Sequence, residues 1–133
     1  ELVQLSKLTG HILDNKRVGV ISNEQDHLAS RTSRHVRVNN IEIITTKICQ
    51  LIKLSRRRME YNQIKDIPPE IGQLTNLNTL HLGGNQIENI PPEVGQLTNL
   101  TELDLSDNQI ENIPPEVGQL TNMTELRLSD NQI

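Results

Sequence analysis

Apolar residues recur along this chain at a fixed step. Leu51, Leu74, Leu97 and Leu120 stand 23 residues apart, and so do Asn39, Asn62, Asn85, Asn108 and Asn131. A repeat of this length marks stacked structural units that share a linear core rather than a single centre. The unit from Asn85 to Asn108 shows what each part must do. Leu100, Leu103 and Leu105 end in the apolar–polar alternation of a half-buried strand, which predicts short parallel strands over 79–82, 102–105 and 125–128. Asn108 follows three residues later, where the chain must turn. Stacked copies would line these asparagines up in a ladder that bonds backbone groups the turn leaves unpaired. Ile110 and Ile113 then point back inward. Pro114 and Pro115 cannot donate to a sheet and suit the start of a brief helical turn over 116–120. Ile87, Pro91, Val94 and their equivalents fall on this return path.

Applied to the first third of the chain, the same step finds the frame again. Leu5, Leu8, Leu13, Val18 and Ile21 share the phase of Leu97, Leu100, Leu105, Ile110 and Ile113, and two further units follow, so six strand units are expected. The content drifts while the frame holds. Lys16 replaces the ladder asparagine in the first unit, and Arg31, Arg34 and Arg57 take positions filled later by inward leucines. Unpaired charge does not stay buried. Residues 1–60 are therefore expected to be degenerate, weakly ordered repeats, and residues 61–133 regular 23-residue repeats, with order rising along the chain.

The run Leu100-x-x-Leu103-x-Leu105-x-x-Asn108-x-Ile110 resembles the signature of the leucine-rich repeat family, and the Ile-Pro-Pro-Glu-Ile/Val-Gly-Gln-Leu-Thr-Asn segment is most similar to the intracellular Ras-group type and to repeats of Roc-COR proteins. Glu88 and Glu111 stand where the plant extracellular class carries a glycine, which disfavours that class. The resemblance implies an α/β, right-handed solenoid with short parallel strands on its concave face and short helical or irregular segments on its convex face. It implies a protein–protein interaction module. The alternative is the regulatory repeat region of a multidomain signalling enzyme, a Roc-COR GTPase or a kinase, whose catalytic domain lies elsewhere.

Composition refines this picture. There is no Phe or Trp and one Tyr, Tyr61, so the core must be aliphatic. Cys49 is the sole cysteine, which rules out an intrachain disulfide and favours a reducing, cytoplasmic setting. No stretch approaches the run of about 20 apolar residues a membrane span needs. The sequence starts at Glu1 and stops at Ile133 in mid-repeat, as a fragment of a longer protein would. Charge is divided. Residues 1–66 carry twelve Lys or Arg against seven Asp or Glu (+5), and residues 67–133 carry one against ten (−9), giving the net −4.

Nothing in the sequence assembles a catalytic site, a cofactor site or a metal site. Gly83-Gly84 is not followed by a phosphate-loop motif and is expected to be a loosened strand end. His11, His27, His35 and His81 lie at different phases of the repeat, and no base accompanies Cys49. Arg56-Arg57-Arg58 lacks the interleaved aromatics of single-strand binders and any nucleic-acid-binding motif. Strand alternation instead places Thr79, His81, Glu102, Asp104, Ser106, Glu125, Arg127 and Ser129 outward on one sheet. These residues differ between units that otherwise nearly copy each other. They are the candidate contact residues, and their acidic balance points to a protein partner with a basic patch, with neither nucleic acid nor membrane as the ligand. Oligomeric state stays open.

Overall fold

The computed structural model describes residues 33–35 and 56–133, with side chains from Arg58 onward. Five three-residue strands, β1 (Ser33–His35), β2 (Arg56–Arg58), β3 (Thr79–His81), β4 (Glu102–Asp104) and β5 (Glu125–Arg127), form one parallel sheet in sequence order. The register moves by one repeat per strand: Arg34, Arg57, Leu80, Leu103 and Leu126 occupy one row. A parallel sheet whose strands follow chain order requires a crossover between each pair, and such crossovers are right-handed. The crossovers turn through short 3-10 helices at Pro69–Gln73, Pro92–Gln96 and Pro115–Gln119. The molecule is a right-handed solenoid with strands on one face and 3-10 turns on the other.

Between the faces runs a continuous aliphatic core. Leu74, Leu77, Leu80, Leu82 and Ile87 are fully buried, and Leu97, Leu100, Leu103, Leu105 and Ile110 repeat the arrangement one layer on. Fully burying such a side chain contributes about 1.5–3 kcal/mol, so aliphatic stacking is sufficient without aromatic residues.

The asparagine ladder forms. In Asn108, Nδ2 donates to the carbonyls of Leu82 (3.1 Å), Leu105 (3.0 Å) and Ser106 (3.0 Å), while Oδ1 accepts the Ile87 amide at 2.9 Å. Asn85 bonds Met59, Leu82 and Gly83 carbonyls and the Ile64 amide in the same way. Asn131 serves Leu105, Leu128 and the Ile110 amide. Each asparagine therefore ties its own turn to the preceding layer. Asn39 lies outside the described residues.

A second ladder runs just before the strands. Asn99 Nδ2 donates to the Thr75 carbonyl and Asn122 Nδ2 to the Thr98 carbonyl, both at 2.7 Å. Thr101 and Thr124 add hydroxyl bonds to Asn78 and Thr101 carbonyls, both at 3.0 Å. On the convex side the layers approach closely at glycine. A Cβ on Gly95 would stand 2.6 Å from the Glu116 carbonyl oxygen, so only glycine lets these 3-10 turns stack.

Several expectations need correction. The strands stop one residue short of Leu82, Leu105 and Leu128, because two residues later the backbone enters the left-handed region at Gly84, Asp107 and Asp130. The return turn is a 3-10 helix over Pro115–Gln119, held by i→i+3 bonds such as Val117 N–H to Pro114 O. Gly83-Gly84 is not a loosened end: the Gly83 carbonyl accepts the Tyr61 amide, and the Gly84 amide donates to Ser106. Gly84 has φ +69°, and a Cβ there would strike the Tyr61 ring. Ile113 and Leu126, expected inward, are 37% and 41% exposed, because they belong to the last layer and no further layer stacks on them. Arg34 and Arg57 do occupy the register row of the inward leucines. Arg31, Cys49, His11, His27 and the first unit lie outside the described residues.

Candidate functional site

Three rows of side chains cross the concave face at right angles to the strands. The first holds Thr79, Glu102 and Glu125. The second holds Arg58, His81, Asp104 and Arg127. The third, one alternation further along, holds Glu60, Gly83, Ser106 and Ser129. Strand pairing places row neighbours about 4.8 Å apart, so residues 23 apart in sequence become adjacent in space.

The rows enclose a shallow basin of about 350 Å³ lined by five carboxylates (Glu60, Glu102, Asp104, Asp107 and Glu125), two arginines (Arg58 and Arg127) and His81. Carboxylates outnumber guanidinium groups, so the basin is net acidic. Its charges are mutually engaged. Arg127 meets the Glu125 carboxylate at 2.5 Å and Asp104 at 3.7 Å. The hydrogen bond to Glu125, then the charges of Glu125, Asp104 and Glu102, hold its guanidinium above the usual arginine range. Asp104 also accepts the Ser106 amide and hydroxyl, at 3.1 and 2.6 Å. The His81 ring lies between carboxylates, Nδ1 3.5 Å from Glu60 and Nε2 3.3 Å from Glu102.

Seven of the eight residues expected outward on this face are at least partly exposed; Thr79 is the exception. It is only 4% exposed, because its short side chain sits in a parallel row where longer neighbours such as Glu102 shade it. Glu125, Arg127 and Ser129 are exposed, and His81, Glu102, Asp104 and Ser106 are half-buried. Sequence reasoning missed Arg58, Glu60, Tyr61 and Asp107 as members of the basin. The signal was available for Arg58 and Glu60, which stand one step before His81 and Gly83. Tyr61 was hidden because its position is Gly84, Asp107 and Asp130 in the other layers, residue types that suit the left-handed backbone better than tyrosine does.

Among the described residues no group of three His, Cys, Asp or Glu is placed to hold a metal ion. A second shallow surface of about 290 Å³, between Glu88, Asn89, Gln109, Glu111 and Gln132, lies on the flank after the asparagine turns. It carries only amides and two carboxylates.

Comparison with known proteins agrees with this architecture. The family model described as a leucine-rich repeat region matches residues 31–132. A leucine-rich repeat protein of Leptospira interrogans is 33% identical, with a TM-score of 0.80 over 88% of this chain and 30% of that one. An internalin of Listeria monocytogenes is 30% identical, with a TM-score of 0.65 over 74% of this chain and 27% of that one. The plant peptide hormone receptor RGFR1, in complex with RGF2, is 34% identical with a TM-score of 0.70 over 75% of this chain and 17% of the receptor. The chain thus spans less than a third of each of these proteins. No curated protein matches the sequence. With the 23-residue register, the asparagine ladder and the family match in agreement, the chain belongs to the leucine-rich repeat family.

Proposed function

We propose that this chain is a protein-interaction module whose concave face, built on β3 to β5, binds a protein partner through a basic patch on that partner. The observation that carries the reading is the basin itself, where residues that do no framework work converge on one accessible surface with more carboxylates than arginines. A partner's lysine or arginine side chains would complement Glu102, Asp104 and Glu125, and such contacts set on-rate and specificity more than raw affinity. A receptor among the similar structures is in complex with RGF2, which supports a binding role for this architecture. The single Cys49 supports a reducing compartment, and we place the module in the cytoplasm. The intracellular Ras-group resemblance supports a signalling context. If the repeats regulate an enzyme such as a Roc-COR GTPase or kinase, this face still does the binding and the catalysis lies in another domain.

The test is a pair of charge reversals read by fluorescence anisotropy with a dye-labelled oligolysine peptide. Glu102→Lys with Asp104→Lys on the concave face should weaken binding by about tenfold or more, and binding by the parent should weaken with salt as screening shortens to about 8 Å. Glu93→Lys with Glu116→Lys on the convex face should leave it nearly unchanged. Loss of binding from the convex pair alone would overturn the assignment.

A further inference from the structure

We propose that His81 is a pH-controlled competitor for Glu102, holding that carboxylate when the imidazole is protonated and yielding it to a cationic partner when the imidazole is neutral. This regulation rests on the reading of the concave face as the site for a basic partner.

The geometry carries the argument. His81 sits at the centre of the basin on β3, and each ring nitrogen faces a carboxylate: Glu60 Oε1 at 3.5 Å from Nδ1 and Glu102 Oε2 at 3.3 Å from Nε2. A carboxylate only accepts hydrogen bonds. A neutral imidazole has one N–H and one bare lone pair, so it can favour one of these carboxylates but must turn a lone pair toward the other. Only the imidazolium, with two N–H groups and a positive charge, suits both. The two carboxylates also differ in exposure. The Glu60 side chain is 9% exposed and the Glu102 side chain 42%, so Glu102 is the arm a partner can reach.

The other charges around the ring set the sign. From the β2 side His81 meets Arg58 as its register neighbour and Glu60; from the β4 side it meets Asp104 as its register neighbour and Glu102. Asp104 is already engaged by Ser106 and Arg127 and the Glu60 side chain is enclosed, so Glu102 is the carboxylate that both the ring and a partner can reach. Protonated His81 occupies Glu102 and adds a positive charge to the basin, and both effects oppose a lysine or arginine from a partner. Neutral His81 removes the charge and keeps a single N–H for its two carboxylates, which weakens the hold on Glu102. Affinity for a basic partner therefore rises as rising pH takes the proton from the ring. By linkage, binding of the partner expels a proton from His81.

The test reads binding against pH. The affinity of the parent for dye-labelled oligolysine should increase about two- to fivefold between pH 5.5 and pH 8, a range matched to one exposed charge pair. The His81→Gln protein should show a flat profile. Equal pH profiles for the two proteins overturn the switch while leaving the binding face intact. Absence of binding at every pH overturns the basic-partner reading of the face, and the switch with it.

Discussion

Two rows of this solenoid lie four residues apart in sequence and obey different rules. One row reads Asn62, Asn85, Asn108 and Asn131, the same residue in each of four layers. The other reads Arg58, His81, Asp104 and Arg127, unlike in charge from one layer to the next. Both advance by the same 23-residue step on the same backbone. What separates them is what each side chain must satisfy. Asn62, Asn85 and Asn108 are buried, and Asn85, Asn108 and Asn131 each accept a backbone amide of the preceding layer while donating to carbonyls, an obligation only a short amide meets with both a donor and an acceptor. The strand-face residues stand in solvent or pair with one another. Their identity is left free by the fold and is therefore open to recognition.

Both rows depend on the aliphatic core, and substitutions there should have the largest effect. Leu103→Ala removes a fully buried side chain between two layers and should cost about 2–5 kcal/mol in denaturant unfolding. A cost well under 1 kcal/mol would mean the layers collapse to refill the space. Next comes Gly95→Ala, because the added methyl would meet the Glu116 carbonyl and force adjacent 3-10 turns apart. About 1–3 kcal/mol is expected from such overpacking. Gly118→Ala is the internal control: its Cβ position is open, and its thermal midpoint should stay near the parent's. Equal losses at the two glycines would show that local backbone freedom, not layer spacing, sets the requirement.

A gain is expected at β2. Arg57 shares the register row of Leu80 and Leu103, so Arg57→Leu should extend the aliphatic row and raise stability by about 1 kcal/mol. A loss of stability in the same melt would show that leucine at this position does not join the row. This test also bears on the proposal that residues 1–60 are the weaker part of the stack.

How far the sequence reveals this molecule follows the same division. The strand segments, the Leu80–Leu103 row and the asparagine ladder were legible because one obligation repeats in each layer and leaves the same letter every 23 residues. The Asn99 and Asn122 ladder left its letters too, yet exposed asparagines carry no sign of burial and were passed over. Gly95 reads as a turn residue until the neighbouring layer is placed against it. Membership of the basin was harder to read. Thr79 looks outward by alternation, and only its row neighbours bury it. Tyr61 occupies a position where later layers carry glycine or aspartate, so no repeated letter announces it.

Framework and recognition are separable on this chain. That separation is tested by comparing, under identical urea conditions, the unfolding free energies of Asn108→Ala and of the double substitution Glu102→Ala with Glu125→Ala. The alanine at 108 strands the Ile87 amide and takes one donor from each of three carbonyls, and should cost about 1–3 kcal/mol. The double substitution on the open face should stay within about 0.5 kcal/mol of the parent. Comparable losses from the two proteins, or a larger loss from the strand-face pair, would contradict it.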